Sequence, residues 1–450
     1  MIRWPHWLGP MPGRREAQAI AWMALAAGII LSTVSLVLGF HGLPFMGRPL
    51  GGDFVEFYTI GKILNTAAPA RIYDLDLAVK LQHEILPAMS PTQMLVFGQA
   101  PYIAWLFRPF ALLPYFWAYA AWLGFSAAAY LLGLRILFRA LRLPREDRRT
   151  GYLLALSWAP FLFETWIGGQ MAAVVFLIFA LFFWCLENER PLLAGLALSL
   201  CLFKPTLVAL PALMLLAGRR WRVAGGLAAG GAALGLASLA TIGWEGIRAW
   251  RNILGFNAQV AAAAGDAWHR SKYVDLAAFL HLLLGNNQSI TAILFVAASL
   301  AAVGSLGWAW WRSGGSARNE LWAATLCFTL VVNAYTPIYD TVLAVIAMAF
   351  LATRLQNDPA ASDREKFTIW LLLLYLVPWI TQSFAQFLHL QLITLVLACF
   401  GFWALRQAFE STGKAGARIG SHPRAAQEQS TIQRHLQPRA AGRLWVRSRG

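Results

Sequence analysis

The chain has 450 residues, of which 58% are hydrophobic and only 13% are charged. A soluble domain usually carries about 25% charged residues, so this composition excludes an ordinary soluble enzyme or binding domain. The mean hydropathy of +0.55 agrees with that exclusion. The composition therefore predicts an all-α polytopic membrane protein.

The net charge of +16 is typical of two classes of protein. In a soluble protein it would indicate nucleic-acid binding, whereas in a membrane protein Lys and Arg accumulate on the cytoplasmic side. With the N terminus inside, nine of the 37 Lys and Arg fall on predicted outer segments, Lys204 lies between two apolar runs, and the other 27 fall on inner segments. This asymmetry favours a membrane protein with no nucleic-acid partner.

Apolar runs predict about twelve membrane crossings. A straight crossing needs ~20 residues, but several runs are shorter and meet in pairs at Gly-Gly-Gln, Lys-Pro or Tyr-Thr-Pro turns. Such broken helices occur where protein or a water-filled cavity covers the freed backbone. In chain order the runs are 20–40, 115–138, 152–163, 171–186, 192–203, 206–216, 223–242, 290–311, 321–332, 341–352, 367–384 and 390–405.

The predicted organisation is a transmembrane domain at 20–406 between two cytoplasmic tails, 1–19 and 407–450. The second tail is basic and lacks apolar periodicity, which predicts disorder. Two polar segments, 41–114 and 243–289, are predicted to be extracytoplasmic loops. The mixed charge of the first loop predicts an ordered segment with short helices at 54–64 and 76–86 and a stretch at 101–113 along the membrane interface.

Familiar catalytic signatures, such as nucleotide-binding glycine loops and metal-ligand clusters, are absent from the sequence. The first candidate is therefore an isolated carboxylate, Asp53, which follows Gly51 and Gly52 shortly after the first apolar run. The glycines let the backbone approach another surface, although Asp53 is equally suited to N-cap a helix that starts at Phe54. Glu56, one turn on, is either a substrate contact or a solvated loop residue.

Lys204 is the second candidate, because a cation between two apolar runs is expensive unless it is paired or reaches an aqueous site. A compact ammonium suits a phosphate group, and the alternative is a lysine that snorkels at a helix end. Asp340 beside Tyr339 is a third candidate, whose alternative is a structural pair with Lys204 or an arginine. The candidate substrate-binding residues are Glu56, Tyr58, Gln170, Asn333, Tyr339 and Asp340.

Other polar groups fall on the same predicted outer side. Glu164 and Gln170 flank a Gly-Gly turn. Four residues of the second loop are candidates for stacking on a sugar, with membrane anchoring as the alternative for the tryptophans: Trp250, Asn257, Trp268 and Tyr273. We predict no cofactor. Asp53 and Glu56 alone supply too few oxygen ligands for a cation cage, so the sequence predicts no dedicated metal site. The involvement of a divalent metal ion stays open.

Several short motifs, taken in order, resemble glycosyltransferase family 87. They cover most of the chain from about 50 to 350: Gly52-Asp53-Phe54 with Phe57-Tyr58, Tyr73-Asp74, Pro101-Tyr102, Arg108-Pro109, Leu113-Pro114, Gly169-Gln170, Ala194-Gly195, Lys204-Pro205, Arg220-Trp221-Arg222 and Pro337-x-Tyr339-Asp340.

The resemblance implies a GT-C fold in the bacterial cytoplasmic (inner) membrane, with the active site facing the exterior. It implies a polyprenyl-phosphate sugar as donor, a glycolipid or envelope glycan as acceptor, and mannose or arabinofuranose as the sugar. An aspartate of the first outer loop is the general base in such enzymes, and that role falls on Asp53. We expect Lys204 to stabilise the departing lipid phosphate. The competing hypotheses are a secondary transporter or lipid flippase and a non-catalytic membrane subunit.

Overall fold

The computed structural model describes residues 13–43, 50–66, 68–87, 89, 94–263, 270–285, 287–314, 319–333, 335–357 and 361–410, so the predicted tail at 407–450 lies almost wholly outside them. Within these ranges the chain is helical and forms no β-strand; one isolated bridge joins Tyr273 to Pro337. Residues up to Leu405 belong to one compact unit. The predicted all-α class is confirmed.

The α-helices of the described residues are numbered in chain order. They are α1 Arg14–Phe40, α2 Phe54–Thr66, α3 Leu75–Ile85, α4 Tyr115–Ala140, α5 Arg145–Leu156, α6 Ala172–Glu187, α7 Pro191–Ser199, α8 Pro205–Ala217, α9 Trp221–Ala263, α10 Leu276–Leu284, α11 Gln288–Arg312, α12 Asn319–Val331, α13 Leu343–Asn357, α14 Ala361–Leu388 and α15 Leu392–Glu410. A π-helix, Pro160–Ile167, precedes α6.

Six of these helices are long and apolar enough to cross a membrane: α1, α4, α9, α11, α14 and α15. The π-helix and α6, bent by 113° at their junction, form a seventh crossing if they are counted as one. About twelve crossings were expected. The number of full-length helices in the described part is lower, because the other apolar runs form helices of nine to fifteen residues, α7, α8, α12 and α13.

The described part of the first polar segment is ordered, and its predicted short helices are confirmed as α2 and α3. Asp74 N-caps α3 by accepting a hydrogen bond from the Leu77 amide at 3.0 Å. Gln82 on α3 forms two hydrogen bonds, of 2.7 and 3.0 Å, to the backbone of Leu95. The following stretch forms two 3₁₀-helices, Pro101–Leu106 and Phe110–Leu112, that are too short to cross a membrane.

Helices α7 and α8 form a hairpin with Lys204 at its tip. Small residues align α7 parallel to α9, since a Cβ on Gly226 would overlap the Leu192 carbonyl oxygen and one on Gly230 would overlap the Ser199 side chain. The start of α9 therefore lies beside the start of α7. Because α8 ends four residues before α9 begins, α8 must run back from Lys204 towards the starts of α7 and α9, and it packs on α11 and α12. The chain therefore reverses direction at Lys204, as the predicted hairpin-like pair requires.

The segment predicted as the second loop is largely helical in its described part. Helix α9 continues past Gly243, where a positive φ of 66° breaks the helical geometry and produces a kink. Beyond the kink, the Trp250 indole donates a hydrogen bond to the Gly98 carbonyl at 3.1 Å. This contact joins the second polar segment to the first.

Candidate functional site

Two glycine turns lie back to back at the centre of the candidate site. Gly51 and Gly52 precede α2 with φ of 84° and 52°, and Gly169 follows the π-helix with φ of 72°. A Cβ on Gly52 would lie 2.9 Å from the Gly168 carbonyl oxygen. That same oxygen accepts a hydrogen bond from the Asp53 amide at 3.1 Å. Glycine is required here both for positive φ and for the close approach of the two backbones.

An aromatic face of α4 holds both turns. The hydroxyl of Tyr115 donates to the Leu50 carbonyl at 2.7 Å, and the hydroxyl of Tyr119 donates to the Ile167 carbonyl at 2.6 Å. The Trp122 indole donates to the Gly169 carbonyl at 3.1 Å. Spacings of four and three residues put these side chains on one face of the helix, so a single rigid element fixes both turns.

The two turns bring Asp53 and Gln170 into contact. The Gln170 side-chain amide donates a hydrogen bond to Oδ2 of Asp53 across 117 positions of sequence. Gln170 is buried and Asp53 is half-buried. The Asp53 backbone carbonyl accepts from the Glu56 amide at 3.1 Å, so Asp53 precedes the first turn of α2. The arrangement orients the carboxylate, while N-capping by the Asp53 side chain stays a prediction.

Glu56 is buried, which corrects the interpretation of this residue as a solvated loop side chain. Only 9% of it is exposed, because the 3₁₀-helices of the first segment pack against α2. Burial raises the pKa of Glu56 well above its usual value, and the negative charge of Asp53 raises it further. Lys204 and the side chain of Gln99 act in the opposite direction. These effects together favour the protonated carboxyl group of Glu56 more than in an exposed glutamate.

Lys204 forms a buried ion pair with Asp340, with Nζ 2.6 Å from Oδ1. The two side chains are 13% and 4% exposed. The ammonium also lies 4.4 Å from the centre of the Tyr339 ring, within the range of a cation–π interaction. A lysine that snorkels would place its ammonium at the surface, whereas the ammonium of Lys204 is buried. This geometry matches the structural pair that was the alternative for Asp340.

The turn that carries Asn333 and Asp340 is fixed to the segment before α10. Asp275, 1% exposed, accepts hydrogen bonds from the Thr336 amide at 2.9 Å and from the Ala278 amide at 2.8 Å. Burial raises the pKa of Asp275 to about 6, against the effect of these hydrogen bonds. The Tyr273 hydroxyl donates to the Tyr335 hydroxyl at 3.1 Å. Asn333 lies in this turn and accepts from the Tyr335 amide at 3.3 Å.

The pair at Asp53 and the pair at Lys204 lie close enough to interact electrostatically, which supports placing them in one candidate site. Glu56 is within range of the charges of both Asp53 and Lys204. Burial is the largest cause of the raised pKa of Tyr335, the neighbouring Tyr273 raises it further, and interactions with Glu56 and Asp53 act in the same direction. The first loop, the π-helix turn, the hairpin tip and the 333–340 turn therefore converge.

Two predicted candidates have structural partners instead. The Tyr58 hydroxyl donates to the Leu113 carbonyl at 2.8 Å, and the Trp250 indole is bound to Gly98. The side chains of Asn257 and Trp268 lie outside the described residues. Among the residues that the structure describes, no three His, Cys, Asp or Glu side chains are grouped as metal ligands would be.

Four residues of the site were not singled out from the sequence: Gln99, Tyr335, Thr336 and Asp275. Gln99 and Asp275 lie in polar segments where many side chains of the same types are solvated, so composition offers no signal. Tyr335 and Thr336 belong to the Asn-Ala-Tyr-Thr-Pro turn that the sequence does mark, although only the flanking Asn333, Tyr339 and Asp340 were selected.

A family model, described as glycosyltransferase family 87, matches residues 100–337 of the chain. The match covers more than half of the sequence and includes Gln170 and Lys204, while Asp53 and Asp340 lie outside it. No curated protein and no solved structure shows a significant match to the chain.

Proposed function

The chain belongs to glycosyltransferase family 87, and on this basis we propose that it moves a sugar from a polyprenyl-phosphate donor to a lipid-linked or cell-envelope glycan. Transfer takes place on the extracytoplasmic face of the bacterial cytoplasmic membrane, where the head group of the donor lipid extends out of the bilayer. The supporting observation is the convergence of Asp53, Glu56 and Lys204 in one half-buried site. Mannose and arabinofuranose are the proposed sugars.

The proposed reaction is a single displacement with inversion at the anomeric carbon. Asp53 takes the proton of the acceptor hydroxyl as the oxygen attacks, a contribution of typically 10²–10⁴-fold for general base catalysis. The bond between the anomeric carbon and the phosphate oxygen breaks, and the electron pair leaves with the lipid phosphate. Gln170 supports this role by holding the carboxylate in one orientation.

Lys204 is the proposed binding residue for the donor phosphate. An ammonium has three N–H donors, and the ion pair with Asp340 accounts for one of them. The others remain to be directed at phosphate oxygens, and the cation stabilises negative charge that grows on the leaving group. Asp340 and Tyr339 then keep the ammonium at a fixed position rather than binding substrate themselves.

The experiment that tests this function is transfer of radiolabelled sugar from polyprenyl-phosphate donors to a bacterial lipid extract by the purified protein. We expect Asp53→Asn, which keeps shape and polarity, to lower turnover at least 10²-fold while donor binding changes little. Asp76→Asn, at an exposed position on α3, is the matched control and should behave as wild type. Turnover close to normal in Asp53→Asn would overturn the catalytic assignment.

Lys204→Met tests the phosphate role separately, because it keeps the apolar stem and removes the charge. It should weaken binding of the polyprenyl-phosphate sugar more than binding of the acceptor, whereas Lys80→Met at an exposed site on α3 should change neither. Unchanged donor affinity in Lys204→Met would move the phosphate site to another cation.

The transporter or flippase hypothesis makes the opposite prediction. It requires substrate-dependent flux in liposomes with no transfer from any donor. The same preparations of wild-type protein and Asp53→Asn distinguish the two functions, because flux does not need a base at this position.

A further inference from the structure

Two oxygen atoms beside the candidate base are buried without a hydrogen-bond partner among the described residues. They are Oε1 of Glu56 and Oε1 of Gln99. The two side chains lie next to each other, since the Gln99 side chain acts on Glu56 at hydrogen-bonding range. A buried acceptor left without a hydrogen bond is unfavourable. A ligand that donates hydrogen bonds to both oxygens would remove that cost.

The position of Glu56 defines which ligand would reach it. Its carboxyl group interacts electrostatically with both Asp53 and Lys204. In the proposed displacement, the anomeric carbon lies between the acceptor oxygen at Asp53 and the phosphate oxygen at Lys204. A side chain placed within range of both groups therefore lies beside the ring of the donor sugar, close to the hydroxyl next to the anomeric carbon.

We propose that Glu56 and Gln99 form a binding subsite for hydroxyl groups of the donor sugar, and that they select a donor bearing a free hydroxyl next to its anomeric carbon. The inference rests on the proposed function and adds the feature of the donor that the site recognises. It assigns Glu56 a binding role and leaves the base at Asp53.

The chemistry of the two side chains fits a polyol. A sugar hydroxyl both donates and accepts a hydrogen bond, and a protonated carboxyl group offers one O–H donor beside one acceptor oxygen. The raised pKa of Glu56 favours that protonated form. Gln99 offers an amide with the same combination of donor and acceptor. Neither side chain then needs to bring a charge to the sugar ring.

The test is a cycle that combines a protein variant with an altered donor. Wild-type protein is compared with Glu56→Met on two donors, the natural polyprenyl-phosphate sugar and its 2-deoxy analogue. We expect removal of the 2-hydroxyl to lower kcat/KM of the wild type by roughly 10- to 100-fold. In Glu56→Met the same removal should have little further effect, because the partner of the hydroxyl is already gone.

Glu56→Gln separates hydrogen bonding from charge. A glutamine amide keeps one donor and one acceptor, so this variant should retain the discrimination between the two donors. Glu84→Gln on the exposed side of α3 is the matched control and should discriminate as wild type does. Thermal unfolding in detergent shows whether Glu56→Met is folded, and Gln99→Leu provides a second variant if it is not.

The proposal is overturned if Glu56→Met, or Gln99→Leu in its place, loses as much activity with the 2-deoxy donor as the wild type does. It is also overturned if Glu56→Gln loses the discrimination between the two donors, as Glu56→Met is expected to do. That result would assign Glu56 a charged role. Both outcomes differ from failure of the proposed function, in which the wild type transfers no sugar or Asp53→Asn remains active.

Discussion

Gln170 binds the Asp53 carboxylate through its side-chain amide, and this contact connects the π-helix turn to the first loop. The amide is buried and is supplied by a turn whose backbone is fixed by Tyr119 and Trp122. A hydrogen-bond donor aimed at a carboxylate favours its ionised form. In the proposed mechanism, Gln170 is a positioning residue that holds Asp53 in the form that accepts a proton.

We predict that Gln170→Leu lowers kcat by about tenfold or more and changes the donor KM little. Losing the amide frees the Asp53 carboxylate to leave the orientation in which it faces the acceptor, so the loss should appear in kcat. Initial rates of transfer at several donor concentrations measure kcat and KM separately. A purely structural residue would lower the amount of folded protein without separating kcat from KM.

Several residues of the site could be selected from the sequence because an ionisable group inside an apolar run is costly. That argument identified Lys204 and Asp340, and the geometry shows that the cost is offset by their own ion pair. The same reasoning failed for Glu56, whose sequence neighbours lie in a polar segment. Its burial comes from the 3₁₀-helices that fold back over α2, and no local pattern encodes that contact.

At the scale of helices, the position of Lys204 depends on close packing between α7 and α9. Membrane helices associate through small residues that let backbones approach. Gly195 on α7 faces Gly226 on α9, and Ser199 faces Gly230 one turn further along. Because α8 is joined to both helices, this contact places the hairpin tip, and with it the ammonium of Lys204.

Adjacent glycines on α9 provide a test of that contact. In Gly226→Ala the new Cβ overlaps the Leu192 carbonyl oxygen, whereas in Gly225→Ala it meets nothing within 4 Å. We expect Gly226→Ala to cost about 1–3 kcal/mol as other overpacked contacts do, and to lower transfer through displacement of Lys204. Thermal unfolding and transfer assays on both variants measure this. An equal effect of both substitutions would show that α7 and α9 are not in close contact.

The sequence predicted the type of each element better than it predicted where a helix breaks or continues. The apolar runs at 20–40, 115–138 and 290–311 are confirmed by α1, α4 and α11, because each run is long enough to decide its own structure. The run at 152–163 is split between α5 and the π-helix. The polar residues after Gly243 suggested a loop, yet they continue α9 because Trp250 and its neighbours pack on the first segment.

At the scale of the whole molecule, ion pairs at the helix ends define two opposite faces. Arg14 at the start of α1 pairs with Glu146 and Asp147 at the start of α5, so these two helices begin on one face. Helix α4 begins at the candidate site and ends shortly before α5. The candidate site and the Arg145 region therefore lie at opposite ends of α4, as the predicted topology requires.

The orientation of these faces follows from the distribution of basic residues, which predicts that the candidate site is extracytoplasmic. Single cysteines test it in a Cys399→Ser background, because Cys399 is exposed while Cys185, Cys201 and Cys327 are buried. We expect a cysteine at Asp76 to react with a membrane-impermeant maleimide in intact cells. A cysteine at Arg145 should react only after permeabilisation. Both positions are exposed, so equal labelling in detergent is the control. The reverse pattern would put the base and the donor site in the cytoplasm, where a donor displayed on the outer face cannot reach them.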